Sequence, residues 1–327
     1  FIDKAMDQVE RAVPPDSPEL MSRALDMATA AMVRQGLTGV HEAGTSLDLM
    51  ELYQAKIAAG ELPVRIYAMA DGLNEALDWL CENGAYEDAS GLLTMRSVKL
   101  YADGALGSRG AALLADYSDD AGNRGLMFMD GPTLDDQLRA VLGCGLQVGV
   151  HAIGDRANRE VLDALERVMP EFPDNPGRHR LEHAQILDPA DIPRFAELGV
   201  IAAMQGVHCT SDGPWVPTRL GDERAANGAY VWRDLLDSGA IISNGTDAPI
   251  EDVDPVQGFH ALVTRRMKNG EAFYPEQSMT QVSLRFCVTH PACHTAIPGA
   301  KSPEQGADNA AASDFGPLPD DALELLA

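Results

Sequence analysis

Apolar residues recur along this chain in two alternating rhythms. Between 18 and 35, Leu20, Ala24, Met27, Ala28, Ala31 and Met32 fall on one stripe at helical spacing, which predicts an amphipathic helix. A short strand pattern follows over 36–45, GLTGVHEAGT, and then a helix over 47–59 closed by Gly60. The alternation continues through short apolar runs at 63–69, 97–104, 146–154, 178–186, 200–206 and 240–249. Helical stretches at 73–83, 133–143, 155–169, 189–198, 229–238 and about 255–268 follow them in turn. One long Gly-rich loop, ALGSRGAALLADYSDDAGNRG, interrupts the rhythm after 104.

Seven strand-then-helix units with no hairpin between them predict a parallel sheet with crossover helices. The GxGxxG turn of a doubly wound nucleotide-binding sheet is absent. The expected fold is therefore α/β, a (β/α)8 TIM barrel with one unit missing. Strands are expected near 39–43, 63–69, 97–102, 147–151, 179–183, 200–205 and 241–245. Residues 1–289 would form the incomplete barrel. Residues 290–327, rich in Pro, Gly, Ala and Asp, show no strand pattern and are expected to be an irregular C-terminal segment.

Composition narrows the class. Among 327 residues, 45% are hydrophobic and 23% charged, which excludes a disordered, collagen-like or small disulfide-stapled protein. Asp+Glu is 50 against Lys+Arg 25, a net charge of −25 that repels phosphate backbones and argues against a nucleic-acid binder. Few lysines and more Asp than Glu also fit a salt-adapted surface. The five cysteines, with no CxxC, argue against a disulfide framework or a zinc knuckle. No apolar run reaches the length of a membrane span. The opening FIDKAMDQVERAV has neither a basic segment followed by an apolar one nor an initiator Met. The expectation is a cytoplasmic protein, without membrane partner, read from within a longer sequence.

In a parallel barrel, chemistry collects at the C-terminal ends of the strands. Polar residues that interrupt the apolar runs there are Lys99, Asp103, His151, His183 and Asp247. A single strand-end His is ordinarily a hydrogen-bonded structural residue. Two on successive strands with a strand-end Asp form the nitrogen and oxygen donor set that suits zinc and its neighbours. A Lys in VKLYA is costly to bury unless it loses its proton, pairs with an acid such as Asp103, or is modified.

The segments KLYADGALGSRGAALLADYSDDAGNRG, HAIGDRAN, HRLEHAQ, MQGVHCTSD, RLGDERAANGAYVWRDLLDSGA and SNGTDAPIEDVDPVQG together resemble the YtcJ-like branch (amidohydrolase 3) of the amidohydrolase superfamily. The resemblance spans about residues 1–290. It implies a metal-dependent (β/α)8 hydrolase acting on non-peptide C–N bonds of amide or N-substituted formamide type, by metal-activated hydroxide. It makes His151 and His183 metal ligands from the fifth and sixth strands. Asp247 becomes the eighth-strand ligand and the catalytic general base, and Lys99 the fourth-strand bridging lysine that is often carboxylated. The implied cofactor is one or two divalent ions, zinc foremost. The superfamily's first strand supplies an HxH pair, and none of the eight histidines here lie two apart. The resemblance thus places the first strand and most of the small β-domain outside this chain, with 290–327 a remnant of that domain. The alternative is a non-catalytic truncated barrel, or a subunit completed by another chain.

Asp103, Arg109, Gln205 and His208 are candidates to contact a small amide-type substrate. Arg109 could instead pair with the acidic surface, and His208 could be a plain loop residue. Asp155 is expected to cap a helix N-terminus. Alternation turns Glu182 away from the pocket, toward an ion pair with Arg178 or Arg180. His41-Glu42 could touch substrate, Trp215 and Trp232 are expected in packing, and His290/His294 form a weak HxxxH. Homo-oligomerisation is a further expectation. With a charge of −25, added salt should raise the melting temperature by screening self-repulsion. A melting temperature flat or falling from low to high salt would contradict this and point to ion pairs that already neutralise the field locally.

Overall fold

The computed structural model of the chain describes residues 12–279. Its strands are β1 (Gly39–Thr45), β2 (Arg65–Asp71), β3 (Tyr86–Glu87), β4 (Leu93–Tyr101), β5 (Gln147–Ala152), β6 (Arg180–His183), β7 (Ile201–Gln205) and β8 (Ile242–Gly245). All but β3 lie side by side in chain order, and every one of those pairings is parallel. The expected strand positions and their direction hold, and the sheet is the curled parallel sheet of an α/β half-barrel. β3 is a departure: its two residues pair antiparallel with β4, Tyr86 opposite Met95, so one short hairpin does occur. Among the described residues β1 and β8 each have one sheet neighbour; β8 is largely exposed, and β1 alternates exposed and half-buried positions up to buried Thr45.

The helices are α1 (Pro18–Arg34), α2 (Leu47–Ala59), α3 (Glu75–Asn83), α4 (Gly131–Gly143), α5 (Asp155–Val168), α6 (Ile192–Leu198), α7 (Gly206–Asp212), α8 (Val216–Leu220), α9 (Asp222–Gly228), α10 (Trp232–Asp237) and α11 (Pro255–Thr264). Many start at a side-chain cap that occupies otherwise unsatisfied N–H groups. Ser46 accepts from Leu49 N, Asn74 from Ala76 N, Asp130 from Thr133 N and Asp254 from Val256 N. α2 ends at Gly60 with φ 70°, as its position after the last apolar turn suggests. Between β7 and the helix expected near 229–238 the chain forms three short helices, α7 to α9. In α1, Met32 of the expected stripe packs on the core together with Leu25, while Leu20 and Met27 stay 52% and 62% exposed. No helix of the described residues is long and apolar enough to cross a membrane.

Strand alternation sorts the sheet's two faces. Val98, Leu100, Val148, Val150 and Leu181 are buried in the core with Leu138, Leu142, Val161 and Leu165 of α4 and α5. The opposite face lines the interior and is polar: Lys99, Gln147, Gly149, His151, Arg180 and Glu182. Its curvature shows in contacts across the sheet. The Tyr67 hydroxyl of β2 donates to Gln147 Oε1 of β5 at 2.7 Å, and Arg180 of β6 meets His41 Nδ1 of β1.

Cys81 of α3 and Cys144 at the end of α4 form a disulfide, with Cα atoms 5.0 Å apart. One disulfide therefore forms among the described residues, although the cysteine pattern argued against a disulfide framework. Sixty-three residues separate the pair, so no local spacing announces it. Such bonds persist in oxidising surroundings. Cys209 is free and buried. Cys287, Cys293, the HxxxH pair His290/His294 and the expected irregular segment 290–327 lie outside the described residues.

The long loop after β4 is anchored at one buried carboxylate. Asp103 accepts from Ile153 N (2.9 Å) and Gly154 N (2.8 Å) at the end of β5, and from Ala112 N (2.8 Å) within the loop. The Ala112 carbonyl in turn accepts from Arg156 N and Ala157 N. It thereby caps α5, whose N-cap residue Gly154 has no side chain to do so. A Cβ on Gly154 would stand 2.0 Å from that carbonyl oxygen. Because Asp103 holds Ala112 in place, Gly154→Ala should cost about 3 kcal/mol or more. Gly131→Ala, where a Cβ meets nothing within 4 Å, should stay within about 0.5 kcal/mol. Denaturant midpoints measure both, and equal midpoints would contradict the anchor.

Candidate metal centre

The C-terminal ends of β5 to β8 bring three imidazoles and a carboxylate together. His151 and His183 have ring centroids 4.5 Å apart, and His183 and His208 are 6.1 Å apart. His208 Nε2 is 3.8 Å from Asp247 Oδ2. One ligand atom each from His183, His208 and Asp247 lie within 4.8 Å of one another. Of the residues expected to hold metal, His183 and Asp247 thus come together, and His151 lies beside His183. Lys99 shares the interior, its Nζ 4.0 Å from the Tyr101 ring centroid.

Two of these residues depend on unusual backbone. His183 has φ 77° and Asp247 φ 56°, left-handed values that cost non-glycine residues energy. The turn at His183 explains a correction. Glu182 does not point away from the interior, because alternation is broken one residue later. Glu182 faces inward below His183, and a Cβ on Gly149 would stand 2.9 Å from its Oε1. The expected pair with Arg180 forms there, at 2.7 and 2.9 Å.

Burial sets the charge states. It pushes His151 down to about 3, assisted by the Lys99 charge, and holds His183 well below its ordinary value. Both rings are therefore neutral near pH 7. Burial also lowers Lys99, against the pull of Glu182, Asp247 and Asp71. Asp247 is raised by burial, while His208 and Lys99 oppose the shift. Nε2 of His151 and of His208 are buried without a hydrogen-bond partner. Neutral His151 and His183 near a carboxylate, with buried ring nitrogens uncommitted, fit a divalent ion.

The four residues expected to meet substrate are placed differently from one another. His208, 6% exposed, is inside the cluster. Gln205 supports it: Oε1 lies 2.8 Å from His183 Nδ1, while Nε2 donates to the Ala203 carbonyl. Asp103 uses its oxygens on the backbone N–H groups described above and stands 3.6 Å from His151 Nε2. Arg109 is engaged by Asp119 at 2.8 Å, the surface pairing that was its alternative. Asp155 accepts from Leu114 N as well as Arg156 N, so it ties down the loop besides serving the helix start. His41 faces Arg180 and Tyr67. Trp232 is fully buried against Arg265, 4.4 Å from ring to guanidinium carbon. Sequence reasoning missed Gln185, whose Nε2 contacts His208 Nδ1 at 3.2 Å. Its one trace in the sequence is its place two residues after His183 in EHAQ.

Residues 2–289 match the family model described as "Amidohydrolase family". The chain belongs to the amidohydrolase family. This amidohydrolase chain is 37% identical to the YtcJ protein of Bacillus subtilis over 84% of its own length and 52% of that protein. It is 25% identical to the N-substituted formamide deformylase of Arthrobacter pascens, over 79% of the chain and 48% of the relative. A metal-dependent hydrolase from Pyrococcus horikoshii superposes with a TM-score of 0.76 at 26% identity, over 95% of this chain and 60% of that one. A second, from Pyrococcus furiosus, gives 0.73 at 27% identity, over 86% and 57%. The chain thus spans about half the length of the curated relatives it matches.

Proposed function

We propose that this amidohydrolase chain carries the metal-binding half of a hydrolase for non-peptide C–N bonds, with amides or N-substituted formamides as the substrate class. The observation that carries the reading is the approach of His183 to Asp247 within one donor cluster, with the His151 ring 4.5 Å from that of His183. His151, His183 and Asp247 would hold a divalent ion, zinc foremost. Lys99 is close enough in electrostatic terms to feel Asp247, and burial favours its neutral amine. A neutral amine can add carbon dioxide, giving a carbamate and one released proton, and so become an oxygen ligand. The bound ion would supply Lewis acidity and a lowered pKa for water.

The chain's own groups account for the proton. Asp247, raised by burial, is a better base near neutral pH than an ordinary carboxylate. It takes a proton from the attacking water and returns it to the leaving nitrogen as the C–N bond breaks. The products are a carboxylic acid, or formate from a formamide, and an amine. The relatives' names support the C–N bond class, the formamide deformylase most directly. Calorimetric zinc titration tests the ligand set. Asp247→Asn and His183→Asn should each weaken binding by roughly tenfold or more, and affinities equal to that of the unaltered chain in both would overturn it.

A further inference from the structure

Geometry alone offers His208 as a third ligand beside His183 and Asp247. The two histidines, however, are held by glutamines that present opposite ends. Gln205 turns its carbonyl oxygen to His183 Nδ1, and its orientation is fixed independently by the Nε2 bond to the Ala203 carbonyl. An amide oxygen only accepts, so His183 Nδ1 carries the proton and Nε2 keeps a lone pair. That is the tautomer a ligating histidine needs, with its second nitrogen tied to an acceptor.

At His208 the contact is reversed. Gln185 presents its Nε2, which only donates, to His208 Nδ1 at 3.2 Å. Nδ1 is then the acceptor, and the ring proton sits on Nε2. This Nε2 is buried, has no hydrogen-bond partner, and lies 3.8 Å from Asp247 Oδ2, outside hydrogen-bond reach. A buried N–H aimed into the site without an acceptor is costly until something arrives to accept from it.

We propose that His208 is a hydrogen-bond donor to the substrate rather than an ion ligand, and that Gln185 is the positioning residue that sets its tautomer. The proposal rests on the hydrolase reading above and extends it to substrate recognition. The acceptor would be the carbonyl oxygen of the amide or formamide. As water adds to the carbonyl carbon, that oxygen gains negative charge and the Nε2–H bond to it strengthens. No proton leaves His208. The ring donates throughout, while Asp247 carries the proton that moves.

Nitrogen NMR of the chain labelled in its histidine rings reads the tautomer directly, with the His208 signals assigned by their loss in His208→Gln. The metal-free chain should show His208 Nε2 as the protonated, pyrrole-type nitrogen and Nδ1 as pyridine-type. In Gln185→Glu, whose carboxylate can only accept, the His208 Nδ1 signal should move to the pyrrole type. On addition of zinc ion, signals of His151 and His183 should move while His208 Nε2 keeps its proton. An Nδ1–H tautomer in the unaltered chain, or loss of the Nε2 proton on zinc addition, would overturn the proposal. Zinc that leaves His151 and His183 unmoved would instead sink the metal-centre reading, with the tautomer of His208 still legible in the metal-free spectrum.

Discussion

The buried carboxylate of Asp103 is the interaction from which the rest of the mouth is built. A buried charge survives only when its lone pairs are filled, and here three backbone N–H groups from two separate segments fill them. The bond to Ala112 draws the long loop back over the end of β5. That places the Ala112 carbonyl where α5 needs an acceptor, and it forces glycine at 154, where any side chain would strike the loop backbone. Gly125 is constrained by the same loop, since a Cβ there would stand 1.9 Å from the Ala111 carbonyl oxygen. His151 lies in β5 directly beside this anchor, its Nε2 3.6 Å from Asp103.

The interior then carries two groups of polar side chains. Lys99 and Arg180 lie in register on either side of Gly149, with Glu182 paired to Arg180. His151, level with Glu182, lies with His183, His208 and Asp247 toward the strand ends. Lys99 acts electrostatically on both groups, and while charged it opposes protonation of His151 and His183. The left-handed backbone at His183 makes this arrangement compatible with a single short strand, because Glu182 and its neighbour can both reach the interior. A regular strand would have sent one of them to the helix side.

The fold was largely legible because its periodicity is local. Each strand-and-helix unit announces itself in a dozen or so residues, and parallel order follows from the crossovers. His151, His183 and Asp247 were legible for the same reason: strand ends can be counted. What was not legible is long-range or conformational. The disulfide joins Cys81 and Cys144 across a whole unit. Asp103 looked like a substrate contact because its three partners are main-chain groups, invisible in a side-chain pattern. Glu182 was turned outward by an alternation rule that fails at a positive φ. Gln185 is marked in the sequence only by its place two residues after His183, and its role lies in the choice between the two ends of an amide.

The central claim is that the strand ends of this amidohydrolase chain converge on a divalent ion. Anomalous diffraction at the zinc absorption edge, from crystals of the zinc-loaded chain, tests it most directly. The account predicts a principal peak bounded by His151, His183 and Asp247. A principal peak elsewhere on the acidic surface, with those three side chains bare, would contradict it.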